Sequence, residues 1–207
     1  MKQTLIYVIR HGQSTHNRDS LLSGHANPEL TGEGERQAML ARDKLSHVHF
    51  DEVYSSDLKR AARTAEIIVG KPVHKTHQLH GLRERSYGHL EGKPNEHIEN
   101  LQEKHKKTTD ALSEDEIWRF KFAEDIESDH ELAKRFVDTL RGIAKENIGK
   151  TILVGAHGGT VRSMLVELEY ARPSQLPRGS IGNAAFAKLI YKDNSLVVSE
   201  VDGIIKA

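Results

Sequence analysis

A chain of 207 residues is long enough for one domain with a full-sized core and short for two. Thirty basic and thirty acidic side chains cancel, so no global field favours nucleic acid or an anionic membrane, and any anion site has to be built locally. The lack of cysteine excludes disulfides, thiolate zinc sites and a cysteine nucleophile, and it fits a reducing compartment.

Leu5 to Ile9 is the longest apolar run. It is too short to span a bilayer or to form a signal-peptide core, so a cytoplasmic protein without a membrane partner is expected. The run instead predicts a strand buried on both faces. Thr31 opens a helical stretch with Ala38, Ala41 and Leu45 on one face. Glu52 to Ser55 reads as a second strand. A helix from about Asp57 then places Leu58, Ala61, Ala62, Ala65 and Ile68 at helical spacing. Val73 to Leu79 predicts a third strand. Pro94 to Phe122 is more polar, and helical pieces between loops are expected there, forming a lid. Ser128 with Glu131 is a capping box opening a helix to about Asn147. Thr151 to Ala156 is a second wholly apolar strand, followed by His157-Gly158-Gly159 and another helix. Ala184 to Tyr191 and Leu196 to Val201 form a hairpin across Asp193-Asn194. Strands alternating with helices predict a mainly parallel sheet with helices on both faces, and ligands bind beyond the carboxyl ends of such strands.

Thirteen histidines are many for this length, but six of them (His47, His49, His74, His77, His97, His105) are scattered singly and read as surface residues. His11 and His157 differ, because each follows a buried strand and is followed by glycine, which lets the backbone turn and its N–H groups approach a ligand. Arg10 precedes the first, and Arg60 lies near the start of the helix after the Val53 strand. Guanidinium forks bind a phosphate dianion through paired charge-assisted bonds, and a neutral imidazole can attack phosphorus in line while a second steadies the equatorial oxygens. From the residues alone, ordinary structural roles for these side chains remain an equal alternative.

Arg10-His11-Gly12-Gln13-Ser14-Thr15-His16-Asn17 resembles the Arg-His-Gly-x-Ser-x-x-Asn signature of the histidine phosphatase superfamily, in its phosphoglycerate-mutase-like branch. Leu30-Thr31-x-x-Gly34-x-x-Gln37-Ala38 is similar to the first-helix pattern of that family. Ser55-Ser56-Asp57-Leu58-Lys59-Arg60-Ala61-x-x-Thr64-Ala65 resembles its second motif. Leu82-Arg83-Glu84-Arg85-Ser86-Tyr87-Gly88 with Glu91-Gly92 resembles its acid motif, and Ala156-His157-Gly158-Gly159 its last. The resemblance implies a three-layer α/β/α sandwich around a mainly parallel mixed sheet of about six strands. It implies one domain over residues 1–207, with a small helical lid that sets substrate specificity around residues 85–130. His11 would be the nucleophile and become phosphorylated. Arg10, Arg60 and His157 would form the phosphate pocket with Gly158, with Asn17 and Ser14 at its rim. Glu84 would protonate the leaving alcohol and then activate the acceptor; a solvated cluster with Arg83 and Arg85 is the plainer alternative. Arg83 and Arg162 are left outside the catalytic set. No metal and no cofactor are implied.

Whether water or a second hydroxyl accepts the phosphoryl group is the finer question. Glu84-Arg85-x-Tyr87-Gly88 with Lys93 leans toward the mutases. Ser86 stands where mutases have histidine, and Trp118-Arg119 lacks the second arginine of their tryptophan-arginine-arginine segment. The expectation is therefore a phosphatase acting on a small phosphorylated metabolite. A 2,3-bisphosphoglycerate-dependent phosphoglycerate mutase is the alternative, and a non-catalytic phosphate-binding module a more distant one. A homodimer is compatible with the sequence.

Overall fold

Alternation along β1 (Thr4–Arg10) organises the molecule. Ile6 and Val8 point to one face of the sheet, Tyr7 and Ile9 to the other, and all four are buried. On the first face they join Phe136 and Leu140 of α6 (Asp129–Glu146) and Val161 and Met164 of α7 (Gly158–Glu167). On the second they meet Ala41 of α2 (Gly32–Lys44) and Ala65 and Ile68 of α3 (Lys59–Val69). Two apolar faces need two covering layers, and the result is the α/β/α sandwich that the pattern predicts.

The computed structural model describes residues 2–70 and 76–207. Its sheet has six strands in the order β3 (His77–Gln78), β2 (Glu52–Ser55), β4 (Thr151–Ala156), β1, β5 (Ile181–Lys192) and β6 (Ser195–Ile204). The first four run parallel, and β5 and β6 add an antiparallel hairpin beside β1. β2 and β4 have the predicted bounds. Of the third predicted strand only His77 and Gln78 pair; Val73 lies outside the described residues, as does His74. β5 starts earlier than predicted because Gly182-Asn183-Ala184 sits in a register shift, with Ala184 at φ 57°, which breaks the alternation that sequence reading relies on. Asp193 and Asn194 take φ of 52° and 62°, as a two-residue hairpin turn of right-handed twist requires.

Helix starts follow local chemistry. The Thr31 hydroxyl accepts from the Gly34 N–H at α2, and Ser128 and Glu131 form the expected capping box at α6. The stretch from 94 to 122 contains α4 (Glu96–Thr109) and α5 (Glu114–Arg119). α4 is anchored by a small second core of Leu22, Leu90, Ile98 and Ile126. Backbone bonds Leu22 N to Lys93 O (2.8 Å), Gly92 N to Leu22 O (2.7 Å) and Asn95 N to Ser20 O (2.9 Å) tie it to the loop after β1. Burying Ile98 contributes about 1.5–3 kcal/mol to that attachment, so α4 is held over the carboxyl edge of the sheet. Among the described residues no helix is long and apolar enough to cross a membrane.

Candidate active site

β1 and β4 are parallel neighbours with Arg10 opposite Ala156, so the residues that follow, His11 and His157, leave the sheet at the same level. The His11 N–H continues the ladder to Ala156 O at 3.0 Å, and the two imidazole rings meet edge to face with centroids 5.2 Å apart. Both side chains are buried. A Cβ on Gly12 would stand 2.1 Å from the Gly34 carbonyl oxygen, so only glycine lets the chain turn here against the start of α2.

The His11 Nδ1–H donates to Gly12 O at 2.6 Å, and Nε2 accepts from the Arg60 Nε–H at 3.1 Å. These partners assign the tautomer, with the lone pair on Nε2. Burial, and then Arg60 and Arg10, hold His11 well below the ordinary imidazole value, so the ring is neutral at neutral pH. His157 is depressed in the same way, by burial and then by Arg60 and His11, and neither of its ring nitrogens has a hydrogen-bond partner among the described residues.

Arg60 is fully buried, and among the described residues no carboxylate pairs with it. Its remaining donors hold Ala26 O (2.8 Å) and Gly24 O (2.9 Å). Burial lowers it to about 10, which leaves it charged at neutral pH. Arg10 donates from Nη1 to Ile181 O, while its buried Nε has no partner among the described residues and passes close to Gly158. An unmatched buried donor costs about 1–3 kcal/mol, so an unpartnered Arg10 Nε beside a charged Arg60 without a carboxylate describes a site built for an anion. The N-terminus of α7, with Gly158 and Gly159 in its first turn, adds its positive end to that space.

Glu84 is tethered rather than solvated. Its Oε2 accepts from the Gly159 N–H (2.9 Å) and its Oε1 from the Arg85 N–H (2.7 Å). The flanking arginines turn away, Arg83 to Asp57 at 2.6 Å and Arg85 to Asp129 and Glu127 O. Arg135 of α6 grips the same segment, donating to the carbonyls of Gly81 (2.9 Å), Arg83 (3.0 Å) and Glu84 (3.3 Å) while paired with Glu127. His25 Nε2–H donates to the Glu84 carbonyl as well, at 3.0 Å.

Arg10, His11, Asn17, Arg60, Glu84 and Gly158 all line one cavity of about 390 Å³. His157, expected in the phosphate pocket, is not part of that lining; it is fully buried, packed against His11. Ser14 stands apart from them. It is buried outside the cavity lining, accepting from the Asn17 N–H (3.2 Å) and donating to Asn17 Oδ1 (3.1 Å). It caps α1 (Thr15–Arg18) and orients Asn17 instead of standing at the rim. Arg162, Arg178 and Tyr87 line the cavity too, and sequence reasoning left out the first and missed the second. Arg162 falls one helical turn after Gly158, a spacing that was readable. Arg178 comes from a loop with no motif, and only folding brings it there. Arg119, the remnant of the mutase arginine pair, stands outside this cavity and bonds Asp115 at 3.2 Å.

A parallel-sheet edge with neutral imidazole, buried arginine and a tethered carboxyl around a helix N-terminus defines a phosphoryl-handling α/β enzyme. The sequence profile of the histidine phosphatase superfamily (branch 1) matches residues 6–202, so the chain belongs to that superfamily, whose members are phosphatases and phosphoglycerate mutases. It is 31% identical over 181 residues to a broad-specificity phosphatase of Saccharomyces cerevisiae, covering 80% of this chain and 70% of that one. It is also 31% identical to the 2,3-bisphosphoglycerate-dependent phosphoglycerate mutase of Bradyrhizobium diazoefficiens, over 98% of this chain and 99% of that one. Among solved structures it is similar to phosphoserine phosphatase from Entamoeba histolytica in complex with 3-phosphoglyceric acid. The TM-score is 0.78 and the identity 25%, over 96% of each chain.

Proposed function

We propose that the chain hydrolyses small phosphomonoesters through a phosphohistidine formed on His11. The observation that carries this is a buried neutral imidazole with its lone pair on Nε2, bonded by Arg60, in a cavity shared with Arg10 and with a carboxyl fixed on the α7 N-terminus. The substrate phosphoryl oxygens are bound by Arg10, Arg60, Asn17 and the Gly158 N–H of α7. Nε2 attacks phosphorus, the P–O bond to the leaving alcohol breaks, and the Glu84 carboxyl gives its proton to that oxygen. Glu84, now a carboxylate, takes a proton from water. The hydroxide attacks phosphorus, the P–N bond breaks, and phosphate leaves with the imidazole neutral again. His157, packed against His11, shares the charge that develops on the phosphoryl oxygens.

Water is assigned as acceptor on the ground that the only arginine of the mutase-like segment, Arg119, stands outside the cavity. The 85–130 segment is assigned to substrate selection within the same domain, because Asn95, the N-cap of α4, and Ile98 and Glu99 of that helix stand in the cavity wall. A cytoplasmic setting belongs to the same reading and is supported by a chain without cysteine.

The test is turnover of a phosphomonoester panel including 3-phosphoglycerate, with and without 2,3-bisphosphoglycerate. Both free phosphate and 2-phosphoglycerate are followed, alongside an acid-labile phosphoenzyme that His11→Ala should abolish. Phosphate release without isomerisation is expected. Rapid, bisphosphoglycerate-dependent formation of 2-phosphoglycerate would make the chain a mutase, and turnover by His11→Ala near the wild-type rate would sink the nucleophile assignment.

A further inference from the structure

The phosphoryl grip uses Arg10 and Arg60, both drawn inward. Two further arginines line the same cavity, and they differ in what holds them. Arg162 is spent on the protein: Nε donates to Leu176 O (2.5 Å) and Nη1 to Asp129 (3.0 Å). Arg178 is not. It is exposed, and among the described residues no carboxylate lies within ion-pairing distance of it. Its single side-chain bond runs from Nη2 to the Tyr87 hydroxyl at 2.7 Å, with Cζ 5.7 Å from the centre of that ring. A guanidinium has five N–H donors in a fixed fork, so the face turned from Tyr87 is available and pre-oriented.

Its loop is also held in place. Arg162 grips the Leu176 carbonyl, Ser180 N bonds Pro177 O at 3.1 Å, and Ile205 N bonds Ser180 O at 2.9 Å.

We infer that Arg178, steadied by Tyr87, binds a carboxylate on the leaving-group side of the substrate. The enzyme thereby selects phosphorylated carboxylic acids over neutral phosphomonoesters of the same size. A cation confined to the phosphoryl end could not make this distinction, because both substrate types present the same dianion there. Arg178 reads the other end. The inference rests on the cavity being the phosphoryl-transfer site proposed above.

The test compares 3-phosphoglycerate with glycerol 3-phosphate, a pair that differs in a carboxylate against a hydroxymethyl group. Steady-state kcat/KM is measured for the wild type, Arg178→Met, Arg178→Lys and Tyr87→Phe. Charge-assisted bonds of this kind shift such ratios by about ten- to a hundred-fold. The wild type is expected to favour 3-phosphoglycerate. The preference should collapse by that factor in Arg178→Met, survive in part in Arg178→Lys, and weaken in Tyr87→Phe. No preference in the wild type, or a ratio within twofold of wild type in Arg178→Met, overturns the inference. Calorimetric binding of the same pair to His11→Ala and to His11→Ala/Arg178→Met separates the two readings. If the wild type turns over neither ester, the hydrolase reading fails, and the binding ratio alone decides whether Arg178 recognises the carboxylate.

Discussion

Replacing Gly159 by alanine should disarm the general acid while leaving the fold intact. A Cβ at this position would stand 2.3 Å from Glu84 Oε1 and 3.1 Å from its Cδ, while the Gly159 N–H is the donor that holds Oε2 at 2.9 Å. Such an overlap is far inside van der Waals contact, and the group that must yield is the end of a flexible side chain, so the carboxyl retreats by about 1 Å. A misplacement of that size costs about a hundredfold in rate. Stability should hold or rise slightly, since alanine is favoured over glycine in a helix by up to about 1 kcal/mol. The assay is kcat on an alkyl phosphate and on p-nitrophenyl phosphate, with thermal unfolding in parallel. The loss should be large on the alkyl ester, whose leaving oxygen needs the proton, and small on the nitrophenyl ester, whose leaving group does not. Activity within threefold of wild type on the alkyl ester would refute the placement of Glu84. Equal losses on both esters with a lowered Tm would show a structural defect instead.

Four further outcomes are expected. His11 and His157 are held well below their unfolded value, by burial first and Arg60 next. Below about pH 6.5 the unfolded chain binds protons that the folded one refuses, so stability is retained above that pH and falls beneath it, by up to about 1.4 kcal/mol per pH unit for each histidine. Urea unfolding between pH 7 and 5.5 should show this slope, and His157→Gln should reduce it; an identical slope in the variant would contradict the assignment. Gly12→Ala forces a Cβ against the Gly34 carbonyl, backbone against backbone, and should cost about 1–3 kcal/mol, read as a Tm several degrees lower. Arg135→Met releases the carbonyls of Gly81, Arg83 and Glu84 and should destabilise by about 2 kcal/mol. It should also lower kcat more on the alkyl ester than on the nitrophenyl one, whereas a uniform loss would make its role purely structural. Chelation should leave turnover unchanged, because Arg10, Arg60 and the α7 N-terminus supply the positive charge; loss restored by a divalent ion would contradict this.

Much of the site was legible because its chemistry is local. Arg10-His11-Gly12 and His157-Gly158-Gly159 sit at strand ends, where buried apolar runs stop abruptly, and such runs need no knowledge of partners to be recognised. The bounds of β2, β4 and α6 follow from short-range patterning and caps for the same reason. Ser14 shows the limit of motif reading: it belongs to the signature, yet whether a hydroxyl faces a ligand or caps a helix depends on where the next turn goes.

What tertiary structure alone decided is which distant groups share one space. The parallel register of β1 and β4 sets the two imidazoles side by side across 146 residues of chain, and no local pattern specifies a register. Arg135 grips the Glu84 segment from a helix whose own sequence signals only amphipathicity. Arg178 reaches the cavity because Arg162 and the chain end fix its loop. Strands, caps and turning glycines arise from interactions a few residues long, and these the chain carries in its order. The electrostatics of the cavity arise from burial and from charges far apart in sequence, and those exist only once the chain has packed.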